Sequence, residues 1–430
     1  MKMAVPIAAI SLLVFLTINV PIAMGLTAST LIYFIISNEL PIMVVAQRMV
    51  GAVESVPLLA IPFFVMLGTL MNYTGVSKRV MGFAEVLTGH MIGGLAQVNV
   101  LLSTLMGGLS ASSLADAAMQ SKMLVPEMVR YGYSKEFSAA VTAASAQITP
   151  IIPPGIALIV YGFIADVSIG KMFMAGVLPG ILICAAEMIA VHFVSKKRGY
   201  KPTRAKRATL SEVLVAFKDA FWALTLVIVI IGGIRAGIFT PTEAGAVAVF
   251  YTAIIGMFVY RETKLSDIYK AIVEAVQATG SIMIIIMGAS AFAWFLTWEG
   301  VTHNITRLVV GITPNPYMFL LVINVFLLIL GMFVEGSSAM IILIPLLLPT
   351  AKALGIDPIH FGMILILNLA IGTLTPPMGT ILFLTSGITG AKIDAIVREM
   401  VPFYLVLFIS LLLITYVPAI SLFLPNLLFR

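Results

Sequence analysis

Charge-free stretches set the rhythm of this chain. Met3 to Asn38, Phe137 to Ala165, Leu308 to Val334 and Val401 to Phe429 contain no Asp, Glu, Lys or Arg. Each is longer than the roughly 20 apolar residues that carry a helix across hydrocarbon. The pattern predicts an all-α polytopic membrane protein with about a dozen membrane-entering helices. The opening stretch is too long for a signal-peptide core, which rarely exceeds about 15 apolar residues, and reads as two helices meeting near Asn19 and Pro21. Three other stretches, Leu210 to Ala220, Leu265 to Glu274 and Ile388 to Met400, gather apolar residues on one helical face and charges on the other. Helices of this kind lie along the interface as arms or simply connect spans.

The polar punctuation inside the apolar runs occurs twice. The first series is Gly108-Leu109-Ser110-Ala111-Ser112-Ser113, Pro126, Gly132 and Thr149-Pro150-Ile151-Ile152-Pro153-Pro154. The second is Gly331, Glu335-Gly336-Ser337-Ser338, Pro349, Gly355 and Thr375-Pro376-Pro377. Gly108, Pro126, Gly132, Pro153 and Pro154 each stand 223 positions before Gly331, Pro349, Gly355, Pro376 and Pro377. Paired apolar segments interrupted by Gly and Pro point to the binding site of a secondary transporter.

Composition agrees with the class: 60% hydrophobic and 10% charged residues over 430 positions cannot be hidden in one soluble core. The net charge of +6 does not imply a nucleic-acid partner. Its basic residues concentrate in Lys196-Lys197-Arg198, Lys201, Arg204, Lys206 and Arg207, an acid-free segment that marks a cytoplasmic loop between two hydrophobic halves. The single cysteine, Cys184, rules out an intrachain disulfide and a thiolate metal cluster, and reads as a small core residue.

Chemistry follows from the broken segments. A proline lacks the N–H that would bond the carbonyl four residues earlier. Pro153 and Pro154 should free the carbonyls of Thr149 and Pro150, and Pro376 and Pro377 those of Gly372 and Thr373, at a depth where unsatisfied carbonyls are costly. Clustered carbonyl and hydroxyl oxygens suit a hard monovalent cation such as sodium; kinks satisfied by Ser and Thr side chains or water are the plainer alternative. At the serine-rich turns, Ser112 or Ser113 opening a helix offers hydroxyls and unpaired backbone N–H groups. Ser113-Leu114-Ala115-Asp116 also fits a capping box, which by itself would account for the motif. Met91 to Met106 reads as apolar, so a hairpin with its tip at Leu109 to Ser113 is expected. Gly331 to Ser338, with Glu335 its one acid, forms a second tip. Helix starts attract anions and freed carbonyls attract cations, so the two ions can meet there.

These residues resemble a known family, the large membrane subunit of TRAP (tripartite ATP-independent periplasmic) transporters. The resemblance rests on Gly108 to Pro126, Ile148 to Gly162, Phe239-Thr240-Pro241-Thr242-Glu243-Ala244-Gly245, Gly355 to Gly362 and Asn368 to Gly379. It implies a sodium-driven elevator with two inverted repeats, two re-entrant helical hairpins, two discontinuous helices and interfacial arms. The expected division is 1–90 scaffold, 91–170 first transport repeat, 171–300 scaffold and arms with the cytoplasmic loop at 196–207, 301–390 second transport repeat, and 391–430 C-terminal arm and scaffold.

The resemblance also implies one sodium site around Ser110, Ser112, Ser113, Thr149 and Pro150, and another around Glu335, Gly336, Gly372, Thr373 and Thr375. Substrate contacts are expected at Ser112, Ser113, Asp116, Ser337, Ser338, Pro154 and Pro377. No cofactor is expected besides sodium as coupling ion. The expected partners are a small four-helix membrane subunit on a separate chain, a periplasmic substrate-binding protein, a small anionic substrate and the lipid bilayer of the bacterial inner membrane. Leu114 to Met119 leans toward the sialic acid branch, with C4-dicarboxylates and other organic acids also allowed. Ala111 departs from the glycine expected after the first tip serine.

Thr240, Pro241 and Glu243 together spell a helix start. Catalysis is disfavoured: His90, His192, His303 and His360 are scattered without metal-ligand spacing, and neither a Gly-x-Ser-x-Gly elbow nor a Walker loop occurs. His360, after Asp357-Pro358, reads as a partly exposed structural histidine. The alternatives to a tripartite importer are a stand-alone sodium/dicarboxylate symporter of related fold and, remotely, an intramembrane hydrolase.

Overall fold

The computed structural model of the chain describes residues 3–18, 20–110, 112–312 and 314–429, so Asn19 and Ala111 lie outside the described residues. Twenty α-helices and no strand occur among them. Helices α1 (Ala4–Thr17), α2 (Ile22–Ser37), α3 (Met43–Val53), α4 (Ala60–Met71) and α5 (Val76–Thr88) lead into α6 (Gly94–Ser110), α7 (Ser113–Arg130), α8 (Lys135–Ser145) and α9 (Ile156–Ile164). The long α10 (Ile169–Arg198) is followed by α11 (Leu210–Arg235), α12 (Pro241–Ile254), α13 (Leu265–Trp298) and α14 (Val301–Ile312). Then come α15 (Pro316–Gly331), α16 (Gly336–Ala353), α17 (Pro358–Gly372), α18 (Thr380–Thr389), α19 (Ile393–Tyr416) and α20 (Ala419–Leu428). Six helices are long and apolar enough to cross a membrane, and up to eight spans result if two bent pairs each count as one.

Capping residues set many of the boundaries. Thr209 and Thr240 each accept the N–H three residues on, while Glu212 and Glu243 reach back to the N-cap N–H, giving two complete capping boxes. Asp357 caps α17 through the N–H groups of Ile359 and His360. Helix starts recur at the sequence offset: Ser113 and Gly336, and Lys135 and Pro358, are pairs 223 positions apart. Gly132 and Gly355, which end the preceding helices, both have positive φ, 88° and 76°. The Pro153-Pro154 and Pro376-Pro377 peptide bonds are both cis.

Several sequence expectations are corrected. Each of the three later apolar runs is divided between two helices: the break in Phe137 to Ala165 lies where Thr149 to Pro154 predict one, whereas the other two escaped because hydropathy reports length and not the chain breaks within it. Phe137 to Ala165 breaks after α8; Leu308 to Val334 divides around Pro314 and Pro316, where Asn315 caps α15; Val401 to Phe429 divides at Val417 and Pro418. None of the proposed arms is a separate helix. Leu210 to Ala220 and Leu265 to Glu274 are the first turns of α11 and α13, with no stop signal between amphipathic and apolar parts. Ile388 to Met400 is interrupted by Gly390 at φ 68°. Pro126 and Pro349 lie inside α7 and α16 without ending them. His360 is buried, with Nδ1 2.7 Å from Ser421 Oγ and Nε2 3.1 Å from the Thr415 carbonyl, so both ring nitrogens are engaged. Cys184 is buried and unpaired, as expected.

The halves interlock: α18 packs across α7 and α8, and α9 packs on α16. Where α15 crosses α17, no side chain intervenes. A Cβ on Gly372 would lie 2.5 Å from the Gly331 Cα, and one on Gly331 would lie 3.0 Å from the Gly372 Cα. Small residues at such crossings let helix backbones approach within a membrane.

Gly331→Val and Gly372→Val should each destabilise the purified protein by about 1–3 kcal/mol through overpacking. Gly387→Ala, which meets nothing within 4 Å, should leave the melting temperature in detergent unchanged. Equal melting of all three would remove this contact from the account.

Candidate functional site

The two series of punctuation converge on one cavity. At the first tip, α6 ends at Ser110 and α7 begins at Ser113, with Ser112 as extended N-cap (φ −135°, ψ 122°) accepting the Ala115 N–H at 3.4 Å. The N–H groups of Ser113 and Leu114 donate to no partner among the described residues, leaving a helix start with free donors. At the second tip Glu335 caps α16: its carboxylate accepts the Ser337 N–H at 3.0 Å, the Ser338 N–H at 2.9 Å and the Ser338 hydroxyl at 3.1 Å. The expectation of free donors at both tips therefore holds only for the first. At the second an acid already occupies them.

Ser110, Ser112, Ser113, Pro150, Glu335, Ser337 and Thr373 all line a cavity of about 380 Å³. Gly336 lines a smaller one of about 60 Å³ beside it, together with Ser113, Pro150, Glu335 and Ser337. Thr149, Gly372, Thr375, Ser338, Asp116, Pro154 and Pro377 do not line either. Pro154 is buried and Pro377 faces outward on the exposed side of the second break. Thr375 donates back to the Ile371 carbonyl at 3.0 Å, and Gly372 is committed to the crossing with Gly331.

The two breaks differ in their carbonyls. Those of Thr149 and Pro150 receive no hydrogen bond among the described residues, and the buried Ser110 hydroxyl is likewise without a partner. At the second break the Gly372 carbonyl accepts the Thr375 N–H at 2.9 Å, and the Thr373 carbonyl accepts the Ile381 N–H at 3.2 Å. The proline argument fails there because a tight turn and the start of α18 supply substitute donors.

Asp116 is corrected as well. Ser112, one residue earlier than the expected Ser113, is the cap, so Asp116 falls beyond the capping-box position and is fully buried between α6, α7 and the first break. One carboxylate oxygen accepts from Ser103 at 2.7 Å, Gln120 at 2.9 Å and Thr149 at 3.1 Å. Ser103 continues to Ser145, and Ser145 donates to Asn99, which donates to Thr142. The approach to the tip is thus not apolar throughout: Asn99 and Ser103 of α6 are buried in this network. A related contact holds the second repeat, where Asn368, 223 positions after Ser145, donates to Asn324 at 2.6 Å.

Sequence reasoning also missed Gln147, whose carbonyl oxygen comes within 3.5 Å of the Thr373 hydroxyl at the second break, a hydroxyl that donates to the Ala370 carbonyl at 2.7 Å. The signal was present, since a glutamine inside a charge-free membrane run asks for a partner. Gly68, Thr69, Asn72 and Ser281 line the cavity from α4, its C-terminus and α13. Gly68 admits the first tip: a Cβ there would sit 2.6 Å from the Ser110 carbonyl. No cluster of three His, Cys, Asp or Glu residues fit to hold a metal occurs among the described residues.

Residues 9–420 match the family model described as tripartite ATP-independent periplasmic transporter, DctM component. The sialic acid TRAP transporter large permease protein SiaM of Vibrio cholerae is 39% identical over 95% of this chain and 95% of its own length. The C4-dicarboxylate TRAP transporter large permease protein DctM of Pseudomonas aeruginosa is 42% identical over 87% of each chain. Among solved structures, the YdaH transporter of Alcanivorax borkumensis is similar in fold, with a TM-score of 0.57 at 12% identity over 86% of both chains.

Ser103→Ala removes a donor to Asp116 and an acceptor for Gln120, and should lower stability by about 1–3 kcal/mol. Denaturation of the purified protein would check this, and a variant as stable as the parent would show the network to be incidental.

Proposed function

The chain belongs to the DctM component family of tripartite ATP-independent periplasmic transporters, and on that premise we propose that it drives sodium-coupled import of a small organic acid anion. It is a multi-pass inner-membrane transporter and not an enzyme. The substrate belongs to the sialic acid or C4-dicarboxylate type, two of the cargoes named for its similar relatives. A small membrane subunit and a periplasmic substrate-binding protein complete the system.

The observation that carries this reading is the shared cavity lined by both tips. Its volume of about 380 Å³ suits a small ligand, and it offers the Glu335 carboxylate on one side and the free N–H groups at the start of α7 on the other. Sodium occupies the first break, where the Thr149 and Pro150 carbonyls and the Ser110 hydroxyl have no other partner. A second sodium ion sits against Glu335 with Gly336 and Thr373, using the carboxylate rather than freed carbonyls. The substrate carboxylate takes the unpaired N–H groups of Ser113 and Leu114 and the serine hydroxyls beside them.

Sodium at Thr149 and Pro150 orders the chain beside Asp116 and thereby the start of α7, while the two breaks adjoin where Gln147 approaches Thr373. Sodium and anion then strengthen each other's binding by reciprocal linkage. The two hairpins, related as inverted repeats and re-entrant from opposite faces, move together as the transport unit of an elevator. The basic end of α10 and the segment to Arg207 face the cytoplasm.

Uptake of N-acetylneuraminate and succinate into proteoliposomes, with the small subunit and a binding protein added, tests the proposal. Accumulation should require an inward sodium gradient and both partners. Ser110→Ala and Glu335→Gln should each raise the sodium concentration for half-maximal uptake about tenfold, the equivalent of one lost ligand contact. Unaltered sodium dependence in both variants would overturn the ligand assignment, and uptake by the purified chain alone would overturn the tripartite arrangement.

A further inference from the structure

A second cavity, of about 360 Å³, lies beside the tip cavity and shares Ile341 with it. Its lining contains a single charged residue, Arg48 of α3. The guanidinium carbon stands 4.8 Å from the centroid of the Trp294 ring, and no carboxylate lies within ion-pair distance of Arg48 among the described residues. Arg48 is exposed and has no ion-pair partner among the described residues, so its guanidinium is free to meet a charged ligand entering the cavity. Stacking on an aromatic face fixes its fork and leaves the N–H edges available. The hydroxyls of Ser290 and Thr297 line the same space.

The position along α13 gives the cavity its direction. Ala278 to Ile285 of this helix line the tip cavity, whereas Ile286 to Thr297 line the Arg48 cavity. The start of α13 lies with the cytoplasmic charges: Arg79 pairs with Glu262, just before α13, and both share a surface hollow with Arg204 and Glu212. At about 1.5 Å per residue, the Trp294 end lies some 40 Å or more from that surface. The Arg48 cavity is therefore on the outer side of the tips.

We infer that Arg48 and Trp294 form an anion-receiving subsite that takes the carboxylate of incoming cargo before it passes to the tips. This rests on the transport reading above and adds a residue to it. Planar bidentate donation suits a carboxylate, and the adjoining Ser290 hydroxyl suits a polar or hydroxylated end of the cargo, while the Thr297 hydroxyl donates to the Ala293 carbonyl at 2.9 Å and can only accept. Ile341 of α16 belongs to both cavities, so motion of the second tip brings one site into register with the other.

The test combines transport with direct binding. In proteoliposomes bearing the full set of partners, Arg48→Gln should raise the KM for succinate or N-acetylneuraminate about tenfold while leaving the sodium dependence unchanged. Arg48→Lys should restore part of the loss. Ala293→Phe, which fills the cavity and leaves Arg48 in place, should act like Arg48→Gln. In detergent, with Trp222→Phe and Trp298→Phe leaving Trp294 as the sole tryptophan, succinate should change its fluorescence saturably, succinamide should not, and Arg48→Gln should abolish the change.

A KM within twofold of the parent in Arg48→Gln, or a succinate response that survives in it, would overturn the subsite. If the parent itself shows no sodium-dependent uptake, the transport reading fails instead, and the fluorescence titration still decides whether Arg48 binds a carboxylate.

Discussion

Interrupting a helix inside hydrocarbon is tolerable only if something meets the backbone groups it exposes, and this chain interrupts two at equivalent positions. Around the breaks, Thr149 reaches Asp116, Asp116 takes Ser103 and Gln120, and Thr373 donates to the Ala370 carbonyl. The glycine crossing of α15 and α17 seats the second break against its hairpin. The packing of α18 on α7 and α8 does the same between halves. After these local partners are counted, the carbonyls at Thr149 and Pro150 and the amides at Ser113 and Leu114 are left without one among the described residues.

The repeats share a frame but not their chemistry. The first tip begins its helix with serines and leaves N–H groups open; the second begins with Glu335, which fills them and contributes a negative charge. An anion is therefore favoured at the first tip and a cation at the second, by the same helix-terminus electrostatics applied to different capping residues. The carbonyls follow a related division, open at the first break and locally bonded at the second. Two similar helix starts with different capping residues can thus favour opposite charges side by side.

Much of this frame was legible in the sequence because it is written in residues with fixed local physics. The offset of 223 positions read from glycines and prolines recurs in the helix starts at Ser113 and Gly336 and at Lys135 and Pro358, and Thr240 to Glu243 announced a helix start that the structure contains. What escaped depended on contacts distant in sequence. Gly372 and Thr373 could not be known to recover donors from Thr375 and Ile381, and Asp116 moved from cap to buried hub because the helix began one residue earlier. Apolar run length overstated continuity: Leu308 to Val334 looked like one span and is two helices. The asparagines and glutamine that hold the breaks were visible but lacked partners until α6, α8 and α17 were assembled, and nothing in the neighbourhood of Arg48 pointed to Trp294.

The central claim, that both tips face one site whose geometry responds to sodium, is tested most directly by cross-linking them. Ser113→Cys and Ser337→Cys, placed together on a Cys184→Ala background, line the same small cavity and should be joined by a short dithiol cross-linker in membranes. Sodium should change the rate of that reaction, and potassium at equal ionic strength should not. If no cross-link forms under either cation, or if the rate is the same in both, the two tips do not make a sodium-responsive site and the account is contradicted.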